Sequence, residues 1–239
     1  MVYDKILSLG NTCHTAMMIR AKYFNDVSDQ NKCFFDEELF KSNNFKQGSY
    51  LFDWVQSFTI NLSEMLKLEL NDFVDINNFE ITRSLDSHRT VLWNKKFKVY
   101  LPHFDKYIQR GDARDEKQKK DVWGYVKTIF NEKIKKYEYL VEKTKKTLSD
   151  DNKILFVLFD YEYNQQIVKD ETYYEILNEL GKHNCKASLL VIRKNENISI
   201  PKSLNPNLFF KNVNNVKGWN PHLEYESWLT AMSEFKFKI

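Results

Sequence analysis

With 239 residues the chain can bury a sizeable core, and at 42% hydrophobic and 15% aromatic residues it is too apolar to be disordered. A net charge of +3, from 36 basic and 33 acidic residues, sets up no large field, which argues against nucleic-acid binding and against an anionic membrane surface. Six glycines leave little room for long flexible linkers, and three widely spaced cysteines (Cys13, Cys33, Cys185) form neither a disulfide framework nor a zinc cluster.

The first element is a short strand, Ile6 to Leu9, broken by Gly10 and Asn11. From Cys13 onward the residues become helix formers: Ala16, Met17, Met18, Ile19, Arg20 and Ala21. Strand, tight turn, cysteine and helix form an arrangement that can activate a thiol. The free N–H groups and positive dipole end of the helix favour thiolate over thiol, and the same N–H groups can hold a developing oxyanion. Asn11 and His14 are neighbours in sequence. The structural alternative is that Cys13 is a small buried residue where the first helix enters the core. The opening Met1-Val-Tyr-Asp-Lys5 lacks the apolar core of a signal peptide, and no apolar run approaches a membrane span. A reduced, cytoplasmic protein is expected.

Residues 25–49 are polar, with Cys33, Phe34 and Phe35 as an apolar island, and read as a long loop or insertion. An aromatic cluster follows, Ser49-Tyr-Leu-Phe-Asp-Trp-Val55, built around one carboxylate, Asp53. A carboxylate among aromatics is costly unless bonded, so Asp53 either serves a site or caps a turn. Leu62, Met65, Leu66 and Leu70 predict a helix over 59–70, ended by Asn71 and Asp72. Alternation over 89–104 predicts a hairpin turning at Asn94-Lys95 and ending at Pro102-His-Phe-Asp105. Residues 106–121 read as a charged linker. A long amphipathic helix then runs from Val122 to about Leu148, with Val126, Ile129, Phe130, Tyr137, Leu140 and Val141 on its core face. Its lysines alternate with Glu132, Glu138 and Glu142, as on a solvated face.

The second half alternates strand and helix. Ile154–Phe159, Ala187–Ile192 and Leu208–Phe210 are apolar throughout, and Thr172 to Glu175 reads as a capping box opening a helix that Gly181 closes. Strands apolar on both faces predict a parallel sheet covered on both sides. The expected fold is therefore three-layer α/β, a mainly parallel sheet flanked by helices with a β-hairpin insertion, in one domain over 1–239. Asn11 to Cys13, Asp160 and the loop after Phe210 then fall at the carboxyl ends of parallel strands, where such folds build their sites.

Three motifs in order, Ser8-Leu-Gly-Asn-Thr-Cys13, Phe52-Asp-Trp54 and Pro102-His-Phe-Asp105, resemble those of a family described as papain-like cysteine peptidases, also described as a domain of unknown function. The resemblance covers roughly the first 105 residues. It implies a hydrolase with Cys13 as nucleophile, His103 as base and Asp53 as orienting acid; Asn11 and Asp105, beside these motifs, are candidate supporting residues. The family has Asp directly after His, whereas here Phe104 intervenes before Asp105. The family label also implies a helix packed on an antiparallel barrel, and the strand pattern predicts a parallel sheet instead.

In a Cys–His pair the imidazole takes the thiol proton and later protonates the leaving group, while a third polar group fixes the ring. The structural alternative for His103 is a strand-end histidine bonded to a backbone carbonyl. His222, in Gly218-Trp-Asn-Pro-His222 after the last strand, gives a runner-up set of Cys13, Asp160 and His222 with the chain order of GDSL-type esterases, but the esterase serine motif is absent. His183 follows a helix end and is expected to be exposed. No residues have metal-ligand spacing and no glycine-rich phosphate loop occurs, so neither metal nor cofactor is expected. The expected activity is cysteine-dependent amide or ester cleavage, or acyl transfer, on a small-molecule or peptide substrate. The competing reading is a non-catalytic or esterase-like α/β module that binds a sugar or nucleotide at the strand ends, with Trp54, Trp93 or Trp219 stacking on a ring.

Overall fold

Strands that are apolar on both faces must be covered on both faces, and the central strands of this protein are. The computed structural model describes residues 1–10, 15–16, 18–19, 50–84, 89–110, 113–160, 168–193, 203–213 and 221–237. In chain order the elements are β1 (Val2–Tyr3), β2 (Lys5–Ser8), α1 (helical residues 15–16 and 18–19), a 3-10 turn (Leu51–Asp53) and α2 (Thr59–Lys67). A second 3-10 turn (Ile76–Asn78) leads into β3 (Phe79–Arg83), β4 (Thr90–Asn94) and β5 (Val99–Leu101), followed by α3 (Lys106–Arg110) and α4 (Glu116–Ser149). The remainder is β6 (Ile154–Asp160), α5 (Asp170–His183), β7 (Ala187–Arg193), β8 (Leu208–Asn212), α6 (Pro221–Ala231) and β9 (Lys236–Phe237).

The main sheet has the order β2-β6-β7-β8 and is parallel throughout. Alternation along the strands divides the core in two. Leu7, Phe156, Leu158, Leu189 and Val191 pack with α2, α4 and α5 on one face. Ile6, Leu155, Val157, Phe159, Leu190 and Ile192 pack with Met18 and Ile19 of α1 and with Trp228 of α6 on the other. The fold is therefore three-layer α/β with helices on both sides of a parallel sheet. No helix among the described residues is long and apolar enough to cross a membrane.

Several element boundaries differ from the sequence expectation, each for a local reason. The hairpin over 89–104 is part of a three-stranded antiparallel sheet, because Phe79–Arg83 adds a strand along β4. Its turn occupies 95–98, with Lys98 at φ 54. Asn94 stays in β4 and organises that turn from the side: its Nδ2 donates to the Phe73 carbonyl (2.8 Å) and its Oδ1 accepts from the Phe97 N–H (3.1 Å). Helix α2 stops at Lys67, because Glu69, Leu70 and Asp72 all adopt left-handed φ values, and Leu70 reaches the core from that turn. The charged stretch 106–121 holds α3 and the first turn of α4, which a capping box starts six residues early. The Gln118 N–H donates to Asp115 Oδ1 (2.8 Å), and the Asp115 N–H donates back to Gln118 Oε1 (3.2 Å).

Helix α5 likewise begins at Asp170, so Thr172 and Glu175 lie inside it, and it runs through Gly181 to His183 with Asn184 as its C-cap. His183 is half-buried, its Nε2 3.2 Å from the Leu66 carbonyl of α2, rather than exposed. The short parallel pair of β1 with β9 has no counterpart in the sequence expectation. Residues 25–49 lie outside the described residues.

Tyr137 of α4 is buried and stacks on Phe104 with ring centroids 6.0 Å apart. Its hydroxyl has no hydrogen-bond partner among the described residues, and burial pushes the phenol far above its usual range. Removing an unsatisfied hydroxyl costs nothing in bonding, so Tyr137→Phe should leave stability unchanged or raise it by up to about 1 kcal/mol. Urea denaturation checks this, and a clear loss of stability would mean that the hydroxyl is bonded in solution.

Candidate functional site

Each strand of the main sheet ends, on its carboxyl side, in a polar residue: Ser8, Asp160, Arg193 and Asn212. In register, Asp160 lies beside Arg193 and Arg193 beside Asn212. Beyond β2 the chain turns at Gly10, at φ +90, where its N–H meets Ser8 Oγ at 3.3 Å. Only a residue without Cβ fits there. A Cβ would run into the Ser57 hydroxyl and come within 3.5 Å of the Phe52 ring. Gly10 is thus the contact point between β2 and the segment Phe52–Ser57.

Asp160 is buried on the α2 and α5 side of the sheet. Its Oδ1 accepts from Thr59 Oγ1 of α2 (2.9 Å) and its Oδ2 from the Tyr173 hydroxyl of α5. Burial, reinforced by the Asp160 charge, pushes the Tyr173 phenol well above its usual range, so it remains a donor. Next in the row, the Arg193 guanidinium packs 4.9 Å from the Tyr173 ring centroid and 4.8 Å from that of Phe210, and its Nη2 pairs with Asp170 Oδ1.

The motif segments meet at a second point. The turn Leu51–Asp53 is closed by Asp53, whose Oδ2 accepts from the Tyr50 N–H at 3.0 Å, so one of its oxygens serves as a cap. Helix α4 holds this turn from outside. Thr144 Oγ1 accepts from the Leu51 N–H (3.1 Å), the Lys143 ammonium lies 4.3 Å from the Tyr50 ring centroid, and Lys136 Nζ lies 2.8 Å from that of Trp54. Trp54 also meets His103, which is exposed after β5. Their rings pack edge to face, 5.8 Å between centroids at 89°. Gln56 also bonds across to Tyr100 of β5, with both N–H···O distances 2.9 Å.

Of the residues singled out in the sequence, Asp53, His103 and the neighbourhood of Gly10 are linked through one short segment, 52–57. Cys13, Asn11 and His14 lie outside the described residues. Asp105 has structural partners: its Oδ1 accepts from the Tyr107 N–H (2.7 Å) at the start of α3, and its Oδ2 lies 3.8 Å from Lys133 Nζ. His222 is the second residue of α6. That helix packs on the α1 side of the sheet through Trp228, whereas Asp160 projects to the α2 and α5 side. Ser57, Thr59, Tyr173 and Arg193 were not singled out from the sequence. The available signal was the polar residue that ends each apolar strand, which marks Arg193 as it marks Asp160.

The class that the geometry defines is a three-layer α/β protein with a polar row along the carboxyl edge of its parallel sheet. Compared with known proteins, the chain matches no family model, no curated protein and no solved structure.

Gly10→Ala tests the junction. The substitution forces an alanine to φ +90 and onto Ser57, which should cost at least about 1–3 kcal/mol from backbone strain alone. Chemical denaturation measures it, and wild-type stability would show that the junction relaxes freely.

Proposed function

We propose that the protein is a cysteine-dependent hydrolase or acyl transferase acting on an amide or ester of a small molecule or peptide. In this reading Cys13 is the nucleophile and His103 the base, and Asp53 holds the turn that presents Trp54 to His103. The observation that carries it is the double contact of segment 52–57. Phe52 and Ser57 pack on Gly10, three residues before Cys13, while Trp54 packs on His103. Support also comes from the local geometry. A parallel strand ends at Ser8, a glycine turn follows at a φ only glycine tolerates, and the chain is helical by Thr15. Cys13 precedes Thr15 by two residues in the sequence, and a thiol at a helix amino end is favoured as the thiolate.

The chemistry then follows the usual course for a Cys–His pair. The imidazole accepts the thiol proton, and the thiolate sulfur bonds to the carbonyl carbon, pushing its π electrons onto oxygen. Backbone N–H groups at the helix start stabilise that oxyanion. Its collapse breaks the bond to the amine or alcohol, which takes the proton back from imidazolium. Water, or another acyl acceptor, then releases the acyl group from sulfur by the same path in reverse. A reducing, cytoplasmic setting suits such a thiol.

Iodoacetamide labelling against pH, read site by site by mass spectrometry, tests the proposal. Cys185 is exposed and provides a reference thiol in the same molecule. Cys13 should label well below the usual thiol pKa of about 8.5, and His103→Ala should move its profile up towards that of Cys185. A Cys13 that labels only after denaturation would contradict the proposal, as would a Cys13 profile identical to that of Cys185.

A further inference from the structure

Lys136 and Tyr137 are neighbours on α4, and each meets a different part of the motif region. Tyr137 stacks on Phe104, the residue after His103. The Lys136 ammonium lies over the Trp54 ring, and His103 packs edge to face with the same ring. These contacts close a circuit. It runs from Trp54 to His103, along the chain to Phe104, across to Tyr137, along α4 to Lys136, and back to Trp54. Further along α4, Thr144 accepts from the Leu51 N–H and so fixes the turn that carries Trp54. One helix therefore holds both the segment that presents Trp54 and the segment that contains His103.

The members of the circuit differ in burial. Phe104 and Tyr137 are buried, Trp54 is half-buried, and His103 and Lys136 are exposed. An exposed imidazole explores several rotamers unless a neighbour restricts it, whereas a base has to keep one nitrogen within reach of one proton. Trp54 is placed to restrict it, because an aromatic pair prefers a definite relative orientation. That restriction holds only while the indole itself keeps still. The ammonium over its face restrains it from α4, since indole is the side-chain ring that attracts a cation most strongly. The buried stack of Tyr137 on Phe104 sets how far α4 stands from the His103 segment, so the lysine has a fixed base to reach from.

We propose that Lys136 is a positioning residue for His103, acting through the Trp54 ring that both contact. The inference rests on the reading of His103 as the base of a Cys–His pair and assigns Lys136 no contact with the reacting atoms. It requires a cation at position 136 and an aromatic ring at position 54. Neither requirement follows from His103 being a base.

Two readouts on the full chain test it, with circular dichroism to confirm folding. Lys136→Met removes the charge and keeps an unbranched, helix-compatible side chain, while Lys136→Arg keeps a cation that stacks on aromatic rings. The first readout is the proton NMR position of the His103 ring, assigned by its loss in His103→Gln. The Trp54 ring current should displace it from the free-imidazole position in the wild type. Lys136→Met should bring it back towards that position, and Lys136→Arg should leave it as in the wild type. The second readout is the rate of iodoacetamide labelling at Cys13, which should fall about threefold in Lys136→Met and recover in Lys136→Arg. In a Trp54→Leu background Lys136→Met should cause no further fall, because the ring that transmits its effect is gone. An unmoved His103 signal in Lys136→Met overturns the proposal, and so does unchanged Cys13 labelling in that variant. Failure of Lys136→Arg to restore both readouts, or a further fall in the Trp54→Leu background, also overturns it. Wild-type Cys13 reactivity separates the two claims. If Cys13 labels ahead of Cys185 yet ignores Lys136→Met, the Cys–His reading stands and the role of Lys136 falls. If wild-type Cys13 labels as Cys185 does, both fall.

Discussion

The segment from Tyr50 to Thr59 is the constraint on which the remaining architecture depends. Within ten residues it touches five other parts of the molecule. Phe52 and Ser57 lie on Gly10 after β2, Leu51 bonds Thr144 of α4, Trp54 meets His103, Gln56 bridges Tyr100 of β5, and Thr59 bonds Asp160 at the end of β6. The parallel sheet and the antiparallel sheet pair with each other nowhere in the described topology. Buried side chains and this segment join them. Its polar groups bond mainly to neighbours rather than within regular structure, and burying them demands specific partners.

The same geometry arranges the chemistry. Asp160, Tyr173 and Arg193 project to the side of the sheet covered by α2 and α5, and segment 52–57 reaches Gly10 from that side. The proposed nucleophile follows β2 in the sequence, and the polar row runs on across β6, β7 and β8.

Much of the fold was legible in the sequence because its strongest signal is direct. Runs such as Ile154–Phe159 and Ala187–Ile192 carry no polar face, and only a sheet covered on both sides accommodates them. Less legible were features set by partners distant in sequence. Phe79–Arg83 becomes a strand because β4 is beside it, and Val2–Tyr3 because Lys236–Phe237 returns to it. Helix ends were misjudged where side-chain bonds or backbone handedness decided them: the reciprocal bonds of Asp115 and Gln118 start α4 early, and left-handed Glu69 and Leu70 follow the early stop of α2. For the site, the sequence leaves Asp53 as either cap or site residue, and its Oδ2 accepts from the Tyr50 N–H as a cap. Thr59 and Tyr173 gave no sequence signal, since a hydroxyl at a helix start or among aromatics has many ordinary uses.

Native-state hydrogen exchange at Gln56 and Tyr100 tests most directly whether this segment holds the two sheets as one unit. Their amides donate to each other's carbonyls at 2.9 Å and form a bridge outside the named strand pairs. The account predicts that both exchange only with global unfolding, at the same free energy as the amides of Leu158 and Val191 in the central strands. Exchange of Gln56 and Tyr100 through a local opening several kcal/mol, on the order of half the global value, below those strands would contradict it.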